Sequence, residues 1–432
     1  MFSVISNSWP LLLGMLLLML GNGIQSTLLG VRGGQAGFGT FEMSLVMSAY
    51  FAGFLVASRL TPGMIRRVGH VRVFAALGSL ISAVLILYPT VQNPYAWMAG
   101  RMVIGFCFCG VYVTAESWLN DAATNETRGQ ALSVYMIVQT LGIIIAQAIV
   151  LVPDASGFLL FVIPSVLVSI AFAPILLSIS PTPAFETTKP MSLPDLFHNS
   201  PLGCVGMFLL GGVFSAQFGM SAVYASSAGL TLAQLSMFVA SFYVGAMVLQ
   251  YPLGWLSDRM DRRRLIAIIA LVGGVASIVA ALNGAYFYAL IGAAFIIGGC
   301  SNPLYSMLIA HSNDFLEAED MPSASAGLLF INGLGAIAGP IITGWLMGVA
   351  GPQGFFLFLA ALMLVLGGYG VYRMTQRPGL SADETGSFPA LSPGVSPVAV
   401  EAAQDYAIEE AIEHANEQDA LRLEQEGAAV AN

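Results

Sequence analysis

The chain has 432 residues, of which 57% are hydrophobic and only 9% are charged, and its formal net charge is −9. Soluble domains carry about 25% charged residues, and a soluble chain of this length could not keep so much apolar surface out of water. The composition therefore excludes a soluble globular protein and predicts an integral membrane protein whose apolar surface faces lipid.

Twelve apolar segments are each long enough to cross a bilayer as a helix, which takes about 20 residues. Twelve of the fifteen basic residues fall on one side if the N-terminus is inside the cell, as the positive-inside rule requires. The sequence predicts an all-α protein of twelve transmembrane helices in a bacterial inner membrane, with both termini cytoplasmic. The predicted spans are residues 8–31, 40–61, 72–91, 95–120, 129–152, 156–180, 201–224, 233–256, 263–282, 285–312, 322–349 and 353–376.

The stretch 181–200 divides these spans six and six. We predict a six-helix bundle over 1–180, a cytoplasmic linker over 181–200, a second six-helix bundle over 201–377 and a tail over 378–432. Eleven of the 24 acidic residues lie in that tail, so the net charge says nothing about a substrate. The tail's composition favours disorder, and a short amphipathic helix containing Tyr406 is the alternative.

Polar side chains inside the spans are candidates for a substrate cavity. Such side chains must find partners at lipid depth. They either bind a substrate or brace neighbouring helices, and the sequence leaves both open. The candidates are Asn22, Gln25, Tyr112, Gln217, Tyr305 and Asn332.

Two charged residues lie inside the fourth span. Placing the charge of Arg101 there costs several kcal/mol unless the side chain is paired or in contact with water, which makes Arg101 a functional candidate. The alternative is that its side chain snorkels to the outer interface. Glu116 lies about 22 Å further along the helix. It is predicted to form a gate ion pair with Arg128, Arg67 or Arg66, or else to bind and release a proton during transport.

The two halves of the chain repeat each other. A shift of about 192 residues superimposes several pairs at matching places in the topology, which indicates an internal duplication. Transporters use two such halves around a site near the middle of the membrane. The pairs include Gln25 with Gln217, Arg67 with Arg259, Tyr112 with Tyr305, and Gly142 with Gly335.

The loop between spans eight and nine reads Gly254-Trp-Leu-Ser-Asp258-Arg259-Met-Asp261 and continues with three arginines. This pattern resembles a signature of the major facilitator superfamily. That signature runs Gly, two residues, a small residue, Asp-Arg, one residue, Gly, then bases. The matching residues here are Gly254, Asp258, Arg259, Arg262 and Arg263, while Asp261 takes the place of the second Gly. The resemblance implies ion pairs that latch a cytoplasmic gate. The alternative is that the bases only anchor the topology. The first-half copy is degenerate, with Arg66 where the family has Asp.

Span four carries two further resemblances to this superfamily. Arg101 is followed four residues later by Gly105, and Glu116 is followed by Arg128-Gly129. The first implies a role for Arg101 in proton coupling or in binding an anionic substrate. Together, the motifs most resemble a poorly characterised bacterial branch of the superfamily, and they imply alternating access between two six-helix bundles.

The predicted function follows from these patterns. The few charges inside the spans favour a small solute that is neutral, zwitterionic or singly anionic, moved by a proton-coupled secondary transporter, either a symporter or an antiporter. A passive facilitator of the same fold is the alternative, and a membrane sensor acting through its acidic tail is less favoured. The sequence has no metal cluster, nucleophile–base pair or phosphate loop, so we predict no enzyme activity, cofactor, metal site or nucleic-acid partner. The predicted partners of this monomer are its substrate, the lipid bilayer and protons.

Overall fold

The computed structural model describes residues 2–152, 157–177, 191–317, 319–376 and 391–409, and this part of the chain is helical apart from short connections. A π-helical turn, Ala216–Met220, joins α8 to α9, and residues 397–409 form a further helix, called here the tail helix. The helices are α1 (Phe2–Gln35), α2 (Thr40–Val68), α3 (His70–Leu87), α4 (Pro94–Ala122), α5 (Asn125–Ile149), α6 (Leu159–Leu177), α7 (Leu193–Asn199), α8 (Pro201–Ser215), α9 (Ser221–Ser227), α10 (Leu232–Ser257), α11 (Arg262–Leu282), α12 (Phe287–Asn313), α13 (Met321–Ala350) and α14 (Gly354–Gln376).

Within the described ranges, eleven helical segments are long and apolar enough to cross a membrane. The sixth predicted span, 156–180, corresponds to α6, whose apolar part is shorter at Leu159–Pro174. The prediction of a multi-pass, all-helical membrane protein is therefore confirmed. The count of twelve spans stays a prediction, and most of the predicted linker lies outside the described residues.

The two halves of the molecule pack in the same way. In the first half, α2 packs on α4, α1 on α5 and α6, and α3 on α4 and α6. In the second half, α10 packs on α12, α8 on α13 and α14, and α11 on α12 and α14. This is one contact pattern used twice, as an internal duplication would produce.

Paired glycines set the tightest helix crossings. A Cβ atom added at Gly53 would overlap the carbonyl of Met102 on α4, and one added at Gly245 would overlap the carbonyl of Phe295 on α12. The two glycines are related by the offset of about 192 residues found in the sequence. Only glycine lets two membrane helices approach so closely at these points.

The halves meet most closely at one face of the bundle, where α1 ends and α2 begins. Here α1 packs on α9 and α2 on α13. Gly30 faces Ala222 so closely that a Cβ at Gly30 would lie 2.7 Å from the Ala222 Cβ, and the Ser48 hydroxyl donates a hydrogen bond of 2.6 Å to the Ile337 carbonyl. This face of the molecule is closed.

The opposite face, where α2 ends and α13 begins, is called here the tail face, because residues 391–409 pack against it. The sequence favoured disorder for the tail and left a short helix containing Tyr406 as the alternative, and residues 397–409 form a helix in the structure. Small and apolar side chains are almost completely buried against the bundle, which compensates the cost of ordering the segment. These side chains are Leu391, Val395, Ala399, Val400, Ala402 and Ala403.

Candidate substrate cavity and its closures

A cavity of about 580 Å³ lies between the two halves. Its walls come from α1, α2, α4 and α5 of the first half, from α8, the π-helical turn, α10, α12 and α13 of the second half, and from the tail. Cavities of roughly 300–1,000 Å³ hold small organic molecules. The position and size of this cavity suit a small solute held between the two halves.

The cavity wall is aromatic with a few amides and hydroxyls. On one side of the cavity the aromatic rings pack on each other. The rings of Phe214 and Phe218 are stacked with centroids 5.9 Å apart, and the rings of Tyr50 and Phe218 are tilted with centroids 5.6 Å apart. Phe218 lies in the π-helical turn, a distortion that often occurs at functional sites. The aromatic lining residues are Tyr50, Phe51, Phe54, Tyr112, Phe214, Phe218, Tyr243, Tyr305 and Phe330, and the polar ones include Asn22, Gln139, Thr140, Asn302, Ser325 and Asn332.

Four of the six predicted cavity residues line this space, namely Asn22, Tyr112, Tyr305 and Asn332. The Asn22 amide donates to the Tyr112 hydroxyl at 3.4 Å, and its own oxygen has no hydrogen-bond partner within the described residues. The Asn332 amide donates to the Met207 carbonyl at 2.9 Å. Asn22 therefore offers an available acceptor, whereas Asn332 also braces α13 against α8.

The two predicted glutamines are not among the lining residues. The side-chain oxygen of Gln25 accepts a hydrogen bond from Arg101 at 2.9 Å. The corresponding oxygen of Gln217 accepts one from the Ser301 hydroxyl at 3.0 Å. In this conformation both oxygens brace neighbouring helices, while the two side-chain nitrogens have no hydrogen-bond partner within the described residues. Substrate binding by either glutamine stays a prediction.

Arg101 is fully buried, with a relative exposure of 0%, so it does not snorkel to the membrane surface. Besides its bond to Gln25, its guanidinium lies 4.7 Å from the centroid of the Tyr50 ring. Its Nε and Nη2 atoms and the Tyr88 hydroxyl have no hydrogen-bond partner in the described part of the chain. Since Tyr50 also lines the cavity, Arg101 lies directly behind the cavity wall.

Glu116 is buried and makes its contacts with a tyrosine and with the tail. The Tyr135 hydroxyl donates to its carboxylate at 3.1 Å. The backbone N–H of Ser396 donates at 3.1 Å, and the Ser396 hydroxyl donates a further, short bond. In place of the predicted ion pair with an arginine, Glu116 is held by neutral donors.

Arg128, the predicted partner of Glu116, instead faces two tail acids. Its guanidinium lies 3.9 Å from the carboxylate of Asp405 and 3.6 Å from that of Glu409. Partial burial raises the pKa of Asp405, and the charge of Arg128 acts against that rise. In this conformation Tyr135 and the tail contact Glu116, and tail acids face Arg128, in place of the predicted ion pair between Glu116 and Arg128. A gate role for Arg128 stays a prediction.

In the signature loop, the strongest ion pair joins Arg262 to Asp314. One guanidinium nitrogen lies 2.7 Å from both carboxylate oxygens, and Nε donates to the Ser257 hydroxyl at 3.2 Å. Burial raises the pKa of Asp314, and Arg262 acts against that rise through its charge and its hydrogen bonds. The pair fastens the start of α11 to the end of α12, and thus lies within the second half.

Asp261, which replaces the family's glycine, caps α11. Its carboxylate accepts a 2.9 Å hydrogen bond from the backbone N–H of Arg263 and a 3.1 Å bond from the Arg263 guanidinium. Partial burial raises the pKa of Asp261, but the hydrogen bonds and charge of Arg263 outweigh this and hold the pKa below its usual value. The substitution therefore stabilises the helix start.

The remaining loop residues lie at the surface. The Arg259 guanidinium carbon lies 4.2 Å from the centroid of the Trp255 ring. Asp258 is the C-cap residue of α10, and Arg67 is exposed in the last turn of α2. A Cβ at Gly254 would meet nothing within 4 Å, so close packing does not require glycine there. In this conformation the ion pairs of Arg262 and Arg263 hold parts of the second half together, and a latch between the halves stays a prediction.

Replacing Arg262 by glutamine is expected to lower the free energy of unfolding by about 3–5 kcal/mol, because it leaves the Asp314 carboxylate buried without its counter-charge. Arg264→Gln is the matched control. Its side chain is 71% exposed and lies 3.8 Å from Asp261, so removing it should cost about 0–1 kcal/mol. Chemical unfolding in detergent measures both. Equal effects of the two substitutions would contradict a structural role for the Arg262–Asp314 pair.

Two similar helical halves that cross a membrane around an enclosed cavity define a membrane transport protein. The family model described as Major Facilitator Superfamily matches residues 11–240 and 203–402. The chain therefore belongs to the major facilitator superfamily, and the predicted family resemblance is confirmed.

The chain is similar to bacterial proteins named uncharacterized MFS-type transporter YcaD. It is 27% identical to the one from Salmonella arizonae over 359 residues, covering 82% of this chain and 92% of the relative, and 25% identical to the one from Salmonella heidelberg over 362 residues, with the same coverage. Among solved structures, a mutant of the nucleoside transporter NupG aligns with a TM-score of 0.69 at 16% identity, covering 84% of this chain and 98% of that one. A bacterial homolog of the human lysosomal transporter Spinster aligns with a TM-score of 0.67 at 14% identity, covering 84% and 96%. These structural likenesses support the fold.

Proposed function

We propose that this protein is a secondary active transporter that moves a small neutral, zwitterionic or singly anionic solute across the bacterial inner membrane by alternating access. The observation that carries the proposal is the cavity of about 580 Å³ enclosed by both halves. Its charged lining residues within the described ranges are Arg59, Arg66 and Glu401, all toward the tail face. The deeper wall is aromatic and amide-bearing, and it suits a ring-containing solute that carries few charges.

Alternating access requires the closed face to open while the tail face closes. The closed face is held by small residues and single hydrogen bonds, such as the Gly30–Ala222 contact and the Ser48–Ile337 bond. Contacts of this kind can separate without leaving a buried charge unpaired. The proposal includes twelve spans with both termini in the cytoplasm, which makes the tail face the cytoplasmic face.

The first experiment identifies the ligand. The melting temperature of the purified full-length protein in detergent is recorded against a panel of metabolites and drugs that includes nucleosides and neutral sugars. A ligand that binds only the folded state raises the melting temperature with increasing concentration. Proteoliposomes loaded with the positive compound are then tested for counterflow. A compound that binds but shows no flux would contradict the transport proposal and favour a sensor.

Proton coupling is assigned to Glu116, a buried carboxyl group whose contacts within the described residues include Tyr135 and Ser396. Replacing Glu116 by glutamine keeps the shape and removes the titrating group. We expect the variant to retain counterflow while its uptake driven by a pH gradient falls by about tenfold or more, as for loss of a general acid–base group.

Glu317→Gln is the control, since Glu317 is exposed in the loop after α12 and its charge can be removed without touching the cavity. Unchanged gradient-driven uptake in Glu116→Gln would favour the alternative, a passive facilitator of the same fold. Loss of both gradient-driven uptake and counterflow in Glu116→Gln alone would instead assign Glu116 a role in the transport cycle itself.

A further inference from the structure

The tail segment 391–409 forms part of the cavity wall. Nine of its residues line the cavity, while other tail side chains are buried in the bundle. A tail that only stabilised the protein would need no surface on the cavity. The nine lining residues are Ser392, Pro393, Gly394, Val395, Pro397, Val398, Val400, Glu401 and Gln404.

The segment is bonded to the first half through Glu116 and its surroundings. Ser396 directs both its backbone N–H and its hydroxyl at the Glu116 carboxylate. Further along, the Tyr406 ring covers Gly129, where an added Cβ would lie 3.0 Å from the ring. Arg128 of the same half also faces Asp405 and Glu409 of the tail at 3.9 and 3.6 Å, so Ser396 is one of several contacts that anchor the segment on this side.

The same segment is bonded to the second half through Gln404. The Gln404 amide donates a 2.8 Å hydrogen bond to the Met321 carbonyl and a further short bond to the Ser325 hydroxyl, both at the start of α13. Gly394 lies beside Phe214 of α8, with 3.9 Å between a Cβ added at Gly394 and the ring. The tail therefore joins both halves at one face.

We propose that residues 391–409 are a releasable plug that closes the cavity at the tail face and holds the two halves at a fixed separation. Alternating access changes that separation, so a segment bonded to both halves must let go of at least one of them during each cycle. While docked, the segment also keeps Ser396 on Glu116 and so occupies the carboxylate. The tail is thus an autoinhibitory element, and its release both opens the cavity and frees Glu116.

The test measures access to the cavity and needs neither substrate nor transport, so a failure of the proposed transport function would leave it intact. A cysteine introduced at Ala246, which lines the cavity on α10, is reacted with a bulky maleimide in detergent. The protein without this substitution gives the background from its four buried native cysteines.

Ser396→Ala removes one hydrogen bond to the Glu116 carboxylate. We expect labelling of the introduced cysteine to become about tenfold faster, since removing one hydrogen bond to a buried acceptor changes an equilibrium by about that factor. Ser392→Ala is the matched control, because Ser392 lies in the same segment and lines the cavity but is outside the contacts of Glu116. In this variant, the cysteine introduced at Ala246 should react at the same rate as in the protein whose tail is unsubstituted.

Two further variants keep the test decisive. Gly129→Ala pushes a methyl group against the Tyr406 ring and should also accelerate labelling. Ser325→Cys and Gln404→Cys, joined by a short cross-linker, fix the tail to α13. Labelling of the cysteine at Ala246 should then be slower than with the unsubstituted tail. Equal labelling rates in the unsubstituted, Ser396→Ala, Gly129→Ala and cross-linked proteins would overturn the proposal.

Discussion

We expect Gly298→Ala to lower the free energy of unfolding by about 1–3 kcal/mol or more, as for other additions of volume to a packed interior. A Cβ atom at Gly298 would overlap the carbonyl of Phe242 on α10. The obstacle is backbone, so it cannot be relieved by rotating a side chain. The α10–α12 crossing would have to widen along its length.

Gly292→Ala is the matched control on the same helix. A Cβ at Gly292 would meet nothing within 4 Å, so alanine there should be neutral or stabilise α12 by about 0.5–1 kcal/mol through its higher helix propensity. Unfolding in detergent, followed by circular dichroism, measures both variants. If Gly298→Ala and Gly292→Ala were equally stable, the close crossing of α10 and α12 would be wrong.

The first half provides an independent check. Gly105 precedes Gly298 by about the repeat offset, and a Cβ at Gly105 would overlap the carbonyl of Tyr50 on α2. The same substitution at Gly105 should therefore cost a similar amount. Since Tyr50 also lines the cavity and contacts Arg101, widening this crossing should additionally reduce ligand binding, whereas Gly298→Ala should affect stability more than binding.

The membrane fold could be predicted from the sequence because its causes are local or periodic. Apolar length predicts a helical span, and the offset of about 192 residues predicts that contacts in one half recur in the other. Gly142 and Gly335 were paired from the sequence, and each is packed against the first helix of its own half, at Met19 and Phe208 respectively. The internal duplication therefore allows a tertiary contact in one half to be predicted from the matching contact in the other half.

The candidate site was predicted only in part, because cavity lining depends on the rotation of each helix. Asn22 and Gln25 are three residues apart on α1, yet Asn22 lines the cavity and Gln25 bonds Arg101. The contact of Ser396 with Glu116 joins residues 280 positions apart. Nothing local in an acidic, Pro- and Ser-rich tail marks that one serine, so the sequence predicted disorder for a segment that the structure places in the cavity wall.

Arg101→Lys is expected to reduce transport by about tenfold or more although the positive charge is kept. The guanidinium bonds Gln25 at 2.9 Å with one nitrogen while its centre lies 4.7 Å from the Tyr50 ring centroid. An ammonium group is a compact point charge on a flexible four-carbon chain, and it lacks the planar fork that bonds Gln25 while facing the Tyr50 ring. Loss of the two would loosen Tyr50, which forms part of the cavity wall.

Arg32→Lys is the matched control, because Arg32 makes the same two kinds of contact near the closed face. Its guanidinium bonds Gln35 at 3.2 Å and lies 5.5 Å from the Phe161 ring centroid, and neither partner lines the cavity. Counterflow in proteoliposomes, with the ligand found by thermal shift, should be near normal in this variant.

Arg101→Leu separates function from folding. Burying a charge is costly unless it is paired and hydrogen-bonded, and the Nε and Nη2 atoms of Arg101 have no hydrogen-bond partner among the described residues. We therefore expect Arg101→Leu to melt at or above the unsubstituted temperature and yet to lose counterflow. A stable and active Arg101→Leu protein would show that this arginine takes no part in transport. A stable and inactive one would indicate that the protein keeps a costly buried cation because another step of the cycle supplies the acceptors that this conformation lacks.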